Sequence, residues 1–170
     1  KVVLTGHIDG DRRRYVDALA VIEHFKRRSS EIHFSFAGRA KGDYGKSIKQ
    51  QLIAYKASFP DLVSFFEDDS TADMFRREME TSHLVLSMST LTFKGMGTTE
   101  YIGKTKPTAA IHDMVSFELP GLLPAHLPTP ANLTGSAFSY KSVAELIEIL
   151  TSLLEDRKKL AEWLERAKAN

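Results

Sequence analysis

The sequence predicts an α/β fold in which a mostly parallel sheet of about six strands lies between two layers of helices. Three observations carry that expectation. Short apolar and β-branched runs alternate with stretches of helical spacing. The first two strand runs close on a glycine, and the turns behind them are polar. Nearly every strand is separated from the next by a helix-length segment, as right-handed crossovers between parallel strands require.

The first run, Lys1-Val2-Val3-Leu4-Thr5, reads as a buried strand that ends at Gly6. Helix-spaced Tyr15, Ala18, Leu19, Ile22 and Phe25 follow, with Asp11 expected as N-cap and Lys26-Arg27-Arg28 at the negative end of the dipole. The unit then recurs. Ile32–Ala37 is a second strand closed by Gly38, and Ile48, Leu52 and Tyr55 mark the next helix, which ends near Pro60. Leu62–Phe66 is a third strand, followed by a helix with Ser70 as its expected cap and Met74, Phe75 and Met79 along it. His83–Ser87 is a fourth strand. A helix is expected to start near Thr98-Thr99-Glu100, and Thr108–Ile111 to form a fifth strand. Residues 113–136 hold four prolines and read as loop with at most a short helical turn. A short strand near Ala137–Ser139 precedes a strongly helical tail, with one stripe from Val143 to Leu154 and a second through Leu160, Trp163, Leu164 and Ala167.

Composition narrows the function. The 170 residues carry 42% hydrophobic and 26% charged side chains, as an ordinary globular domain does. Basic and acidic residues number 23 and 22, a net charge of +1. Such balance makes no field that recruits nucleic acid without sequence preference, so an anionic ligand must be held by local groups. There is no cysteine, which excludes thiolate chemistry and disulfides. The six histidines form no i, i+4 ligand pair, so no metal site is expected. No apolar run reaches the roughly 18 residues of a membrane span. The chain opens on Lys1-Val-Val-Leu, directly in a strand, and is expected to be a single domain (1–170) excised from a longer protein.

In open parallel sheets, ligands bind beyond the carboxyl ends of the strands. Four loops fall there: Gly6–Arg14, Gly38–Gly45, Glu67–Ser70 and Ser87–Glu100. The first two share a design, a glycine followed by basic residues: His7 and Arg12-Arg13-Arg14, then Arg39 and Lys41. Glycine lets backbone approach a ligand, and arginine presents a fork matched to phosphate oxygens. The fourth loop holds Ser89, Thr92, Phe93, Gly95, Gly97, Thr98 and Thr99, then Glu100. Amides around Gly95 to Thr99 are candidates to cradle a diphosphate, and Glu100 is an acceptor for the diol of a ribose. The first loop lacks Gly-x-Gly-x-x-Gly and no acidic residue closes the second strand, which argues against a nicotinamide-dependent enzyme.

On these residues the chain resembles the C-terminal, donor-binding domain of GT-B glycosyltransferases of group 1 type. Met88-Ser89 falls at the family's Pro-Ser, Gly95 at its glycine, Glu100 at the second of its two glutamates and Lys106-Pro107 at its Gly-x-Pro. Thr92 stands where the first glutamate, which contacts the transferred sugar, is usual. Gly95–Glu100 is also similar to the Gly-x-Gly-Thr-Thr loop of inverting members, so both stereochemical branches stay open. Gly6-His7 with Arg12 resembles the Gly-Arg…Lys-Gly element, and Phe36-Ala37-Gly38 the end of the second strand. Leu62–Phe65 resembles the strand after which the base docks, near Glu67 and Asp68, and Leu146–Asp156 resembles the terminal helix.

The resemblance implies a Rossmann-like three-layer αβα sandwich that binds a nucleoside diphosphate sugar, UDP- or GDP-linked, and needs no further cofactor. Arg12 and His7 would stabilise the departing diphosphate. Gly6, Gly38, Arg39, Ser89, Thr92, Phe93, Gly95, Gly97, Thr98, Thr99 and Glu100 would contact the donor. The chain's own N-terminal domain would hold the acceptor, and the isolated piece would be inactive. The Leu160, Trp163, Leu164 stripe would either pack at home or dock on that partner domain. A cytoplasmic place, or one at the cytoplasmic face of a membrane, follows by the same resemblance. A nucleotide-sugar 2-epimerase and a non-catalytic interaction module of the same fold are the rival readings.

Overall fold

The computed structural model describes residues 1–67, 70–95 and 97–169. Asp68 and Met96, both within loops considered above, lie outside the described residues. Six parallel strands form the sheet: β1 (Val2–Thr5), β2 (Phe34–Ala37), β3 (Val63–Phe65), β4 (Leu84–Leu86), β7 (Gly121–Pro124) and β8 (Ala137–Tyr140), in the order β3-β2-β1-β4-β7-β8. Between β4 and β7 the chain adds a separate antiparallel hairpin, β5 (Thr92–Gly95) and β6 (Thr98–Tyr101). The helices are α1 (Tyr15–Phe25), α2 (Gly42–Ser58), α3 (Ala72–Glu80), α4 (Ala109–Ser116), α5 (Val143–Glu155) and α6 (Arg157–Lys168).

The period-two alternation of a strand sends side chains to opposite faces, and the two cores follow it. Val2, Leu4, Phe34, Phe36, Leu84, Leu86 and Leu122 pack with α1, α2, α5 and α6 residues such as Ile22, Leu52, Leu146 and Trp163. Val3, Ala37, Val85 and Leu123 pack on the other face with Met79, Ala110 and Met114 of α3 and α4. The molecule is therefore the Rossmann-like three-layer αβα sandwich that the alternating pattern predicts.

Three segments differ from the sequence reading. The helix expected near Thr98 is the second strand of the hairpin, turning at Gly97 with φ +78°. Its flanks, Thr92-Phe93 and Thr98-Thr99 with Tyr101, are β-branched and aromatic, and they favour paired strands over helix. The strand expected over Thr108–Ile111 is the start of α4, where Ala109-Ala110 carry high helix propensity. Ala110, Asp113 and Met114 are buried there at helical spacing. The segment expected as loop contains β7, a four-residue central strand flanked by Pro120 and closed by Pro124. Gly121 lets it pass close to α4, because a Cβ there would sit 2.2 Å from Met114 Sδ.

Caps differ in detail. Arg14, not Asp11, occupies the N-cap position of α1, and Thr71, not Ser70, caps α3 by accepting from Met74 N–H. Asp156 caps α6 by accepting from Lys158 and Lys159 N–H. Trp163 of α6 is buried and stacks on Phe138 of β8 with ring centroids 3.4 Å apart. The tail stripe packs on its own domain.

Candidate functional site

Strand order reverses between β1 and β4, because the chain runs outward to β3 and then returns. At such a reversal, flanking crossovers lie on opposite faces and the loops part to leave a crevice. A cleft of about 470 Å³ opens at the carboxyl ends of β1 to β3, beside this point. Gly6, His7, Arg12, Arg13, Gly38 and Arg39 line it, with Phe66, the start of α3, and Ala109 and Asp113 of α4.

Backbone stitching holds the rim together. Beyond β1 and β2, Ile8 N–H donates to Arg39 O at 2.9 Å, and Lys41 N–H donates to Ile8 O at 2.9 Å. On the other side, Arg14 N–H donates to Met88 O and Thr90 N–H to Arg12 O, both at 2.9 Å. Arg39 donates across to Ser70 O at 3.1 Å. All four loops beyond the strand ends are thus tied to one another by hydrogen bonds, as a preorganised site requires.

The turn after β1 is fastened from below. The buried Tyr15 hydroxyl donates to Gly6 O and His7 O, each at 3.3 Å. Arg13 donates to His7 O at 3.1 Å and pairs with Asp9 at 3.7 Å. Gly6 has φ +86°, and any Cβ would strike the Arg13 guanidinium at 2.2 Å. Asp9 also accepts from Arg12 N–H at 3.0 Å. Arg13 and Asp9 therefore build the turn, while Arg12, Arg39 and Lys41 supply positive charge around it. His7 sits in this turn with its pKa lowered first by desolvation and then by Lys41, Arg13 and Arg39, against the opposing pull of Asp9.

Asp113 is the opposite pole. It is buried at the cleft wall, and burial pushes its pKa up, while the Thr5 hydroxyl and His112 draw it down. Sequence reasoning passed over it because the surrounding segment was read as loop. The signal present was helical spacing, Ala110, Asp113 and Met114 on one face.

The fourth loop contributes differently from expectation. Ser89 is buried, bonded through Oγ to Ser87 Oγ at 2.9 Å, and joins Arg12, Arg13, Lys106, Thr108 and Ala109 around a smaller cleft of about 140 Å³. Glu100 accepts from Lys106 Nζ at 2.7 Å and is not among the residues lining the main cleft. Phe93 lies opposite Glu100 in the hairpin and carries the Arg12 guanidinium 4.2 Å above its ring centroid. Thr92 and Gly95 sit at the two ends of β5. Gly97, Thr98 and Thr99 are exposed at the hairpin tip. The structure thus brings Gly6, His7, Arg12, Gly38 and Arg39 together and sets Thr92, Phe93, Gly95, Gly97, Thr98, Thr99 and Glu100 on the adjoining hairpin.

Comparison with known proteins gives likenesses of fold. No protein-family model matches the chain. No curated protein matches it in sequence. Among solved structures, 99% of the chain superimposes on the C-terminal domain of a group 1 family glycosyl transferase, LpcC of Francisella tularensis. The TM-score is 0.67 at 12% identity, over 82% of that chain. The Anabaena protein HepE, solved in complex with UDP, is similar over 99% of this chain and 43% of its own, with TM-score 0.62 and 19% identity. The N-terminal domain of Candida albicans trehalose-6-phosphate phosphatase is similar over 99% of this chain and 38% of its own, with TM-score 0.56 and 8% identity. The chain has the fold of a group 1 glycosyltransferase C-terminal domain, and it spans less than half of the latter two structures. No described helix is long and apolar enough to cross a membrane.

Proposed function

We propose that this chain binds the nucleoside diphosphate sugar donor of a glycosyltransferase. The single observation behind the reading is the cleft in which two touching glycine turns, arginines and a buried carboxylate share one lining. The diphosphate lies against Gly6 and Gly38, neutralised by Arg12 and Arg39. The ribose diol donates to Asp113, and the base rests against Phe66 and Phe75 of the same lining. The fold likeness to LpcC and the UDP bound by HepE support this reading.

In glycosyl transfer, the bond between sugar and diphosphate breaks and negative charge grows on the departing oxygens. Preorganised cations and amides aimed at that charge lower the barrier. Arg12 supplies a fixed cation. His7, which lines the same cleft, donates a hydrogen bond to the departing oxygens. The acceptor belongs to a further domain of the full-length protein, and residues 1–170 alone bind donor without transferring sugar.

A thermal-shift screen against UDP, GDP, ADP and their sugars tests the reading. A ligand that binds only the folded state raises the melting temperature by mass action. One nucleoside diphosphate is expected to raise it in a saturable way, with its nucleoside far weaker. A flat response to all three diphosphates contradicts the reading.

A further inference from the structure

Phe93 stands outside the main cleft, yet two cations of the site's rim meet over its ring. Arg12 Cζ lies 4.2 Å from the ring centroid and Lys106 Nζ 5.1 Å. The three residues come from separate segments: the turn after β1, the first hairpin strand and the turn before α4. Like charges gathered in this way repel one another. The negative face of the ring and the Glu100 carboxylate, 2.7 Å from Lys106 Nζ, offset that repulsion. Hairpin register puts Glu100 directly opposite Phe93. Arg12 Nε is buried and, among the described residues, has no hydrogen-bond partner, so ring contact is what orients this guanidinium. Arg12 and Lys106 also face one small cleft together with Ala109, at the first turn of α4.

We propose that Phe93 is a positioning residue, a shelf that holds Arg12 and Lys106 as a paired clamp for the diphosphate, and that Glu100 anchors Lys106 rather than touching the ribose. The proposal rests on the nucleotide reading above. Its distinctive consequence is that the hairpin acts on the phosphates alone. The nucleoside half of the ligand should not sense it.

Calorimetry with UDP, GDP and ADP, and with uridine, guanosine and adenosine, tests this on the parent chain and three variants. Phe93→Leu should weaken the preferred diphosphate about tenfold, as loss of two partly desolvated cation–π contacts implies, while the nucleoside binds as before. Phe93→Tyr should restore the parent affinity. Glu100→Gln should likewise weaken the diphosphate and spare the nucleoside. Equal diphosphate affinity in parent and Phe93→Leu overturns the clamp, as does a matching loss for the nucleoside. If the parent binds none of the three diphosphates, the nucleotide reading falls and the clamp falls with it.

Discussion

A Cβ on Gly38 would stand 2.0 Å from the carbonyl oxygen of Gly6, so the turns after β1 and β2 touch backbone to backbone. That approach makes a single rim out of two loops separated by about a helix and a strand of sequence. Gly38→Ala should therefore cost about 1–3 kcal/mol, the usual penalty of overpacking, and abolish nucleotide binding. Urea unfolding monitored alongside a UDP, GDP and ADP titration checks both effects. A variant as stable as the parent would mean that the turns can part freely.

Asp113 gives a prediction whose sign depends on pH. Burial raises its pKa in the folded state, so its contribution to stability is fully present below the unfolded value, 3.8, and is lost as pH rises through the folded value. Asp113→Asn should therefore melt higher than the parent at pH 7 and level with it at pH 3. The same variant should bind nucleotide more weakly, since an amide is a poorer acceptor for the ribose diol. Melting curves at the two pH values, paired with calorimetry, separate the two effects.

His7 should register the ligand's charge. Its pKa is lowered below 6.5, chiefly by desolvation and then by Lys41, Arg13 and Arg39 against the opposing pull of Asp9, so the neutral imidazole is the majority form at pH 6.5 in the free protein. A diphosphate neutralises those cations and raises the pKa. Calorimetry at pH 6.5 in buffers of different ionisation enthalpy should give greater proton uptake for the parent than for His7→Gln. Equal uptake would remove His7 from the phosphate's surroundings.

Much of the fold was legible because strand runs such as Val2–Leu4 and Phe34–Phe36 are short, mainly apolar and followed closely by glycine. Gly6 and Gly38, with Arg12 and Arg39, were found for the same reason: they follow directly from strand ends. The fourth loop was harder. Gly95–Glu100 contains a glycine pair, two threonines and a glutamate, and these residue types suit a helix start as well as a hairpin. The β-branched and aromatic flanks, with Thr92 paired to Tyr101 and Phe93 to Glu100 across the turn, decide between them. That misreading shifted the next helix, α4, and hid Asp113. β7 was disguised by prolines at its margins, which a four-residue buried strand tolerates.

Trp163, the sole tryptophan, stacks on Phe138 and should emit as a buried indole in the folded chain, shifting to the red on unfolding. Trp163→Ala should cost about 3 kcal/mol, a typical value for emptying such a site. Emission typical of solvated indole in the native state would instead mean that α6 is detached.

The most direct test of the nucleotide cleft is a backbone amide titration by NMR with UDP, GDP and ADP. For the nucleotide that binds, Gly6, His7, Gly38, Ala109 and Asp113 should shift together and saturably, while α5 and α6 remain still. Saturable shifts confined to other parts of the molecule, or none with any of the three, would contradict the account.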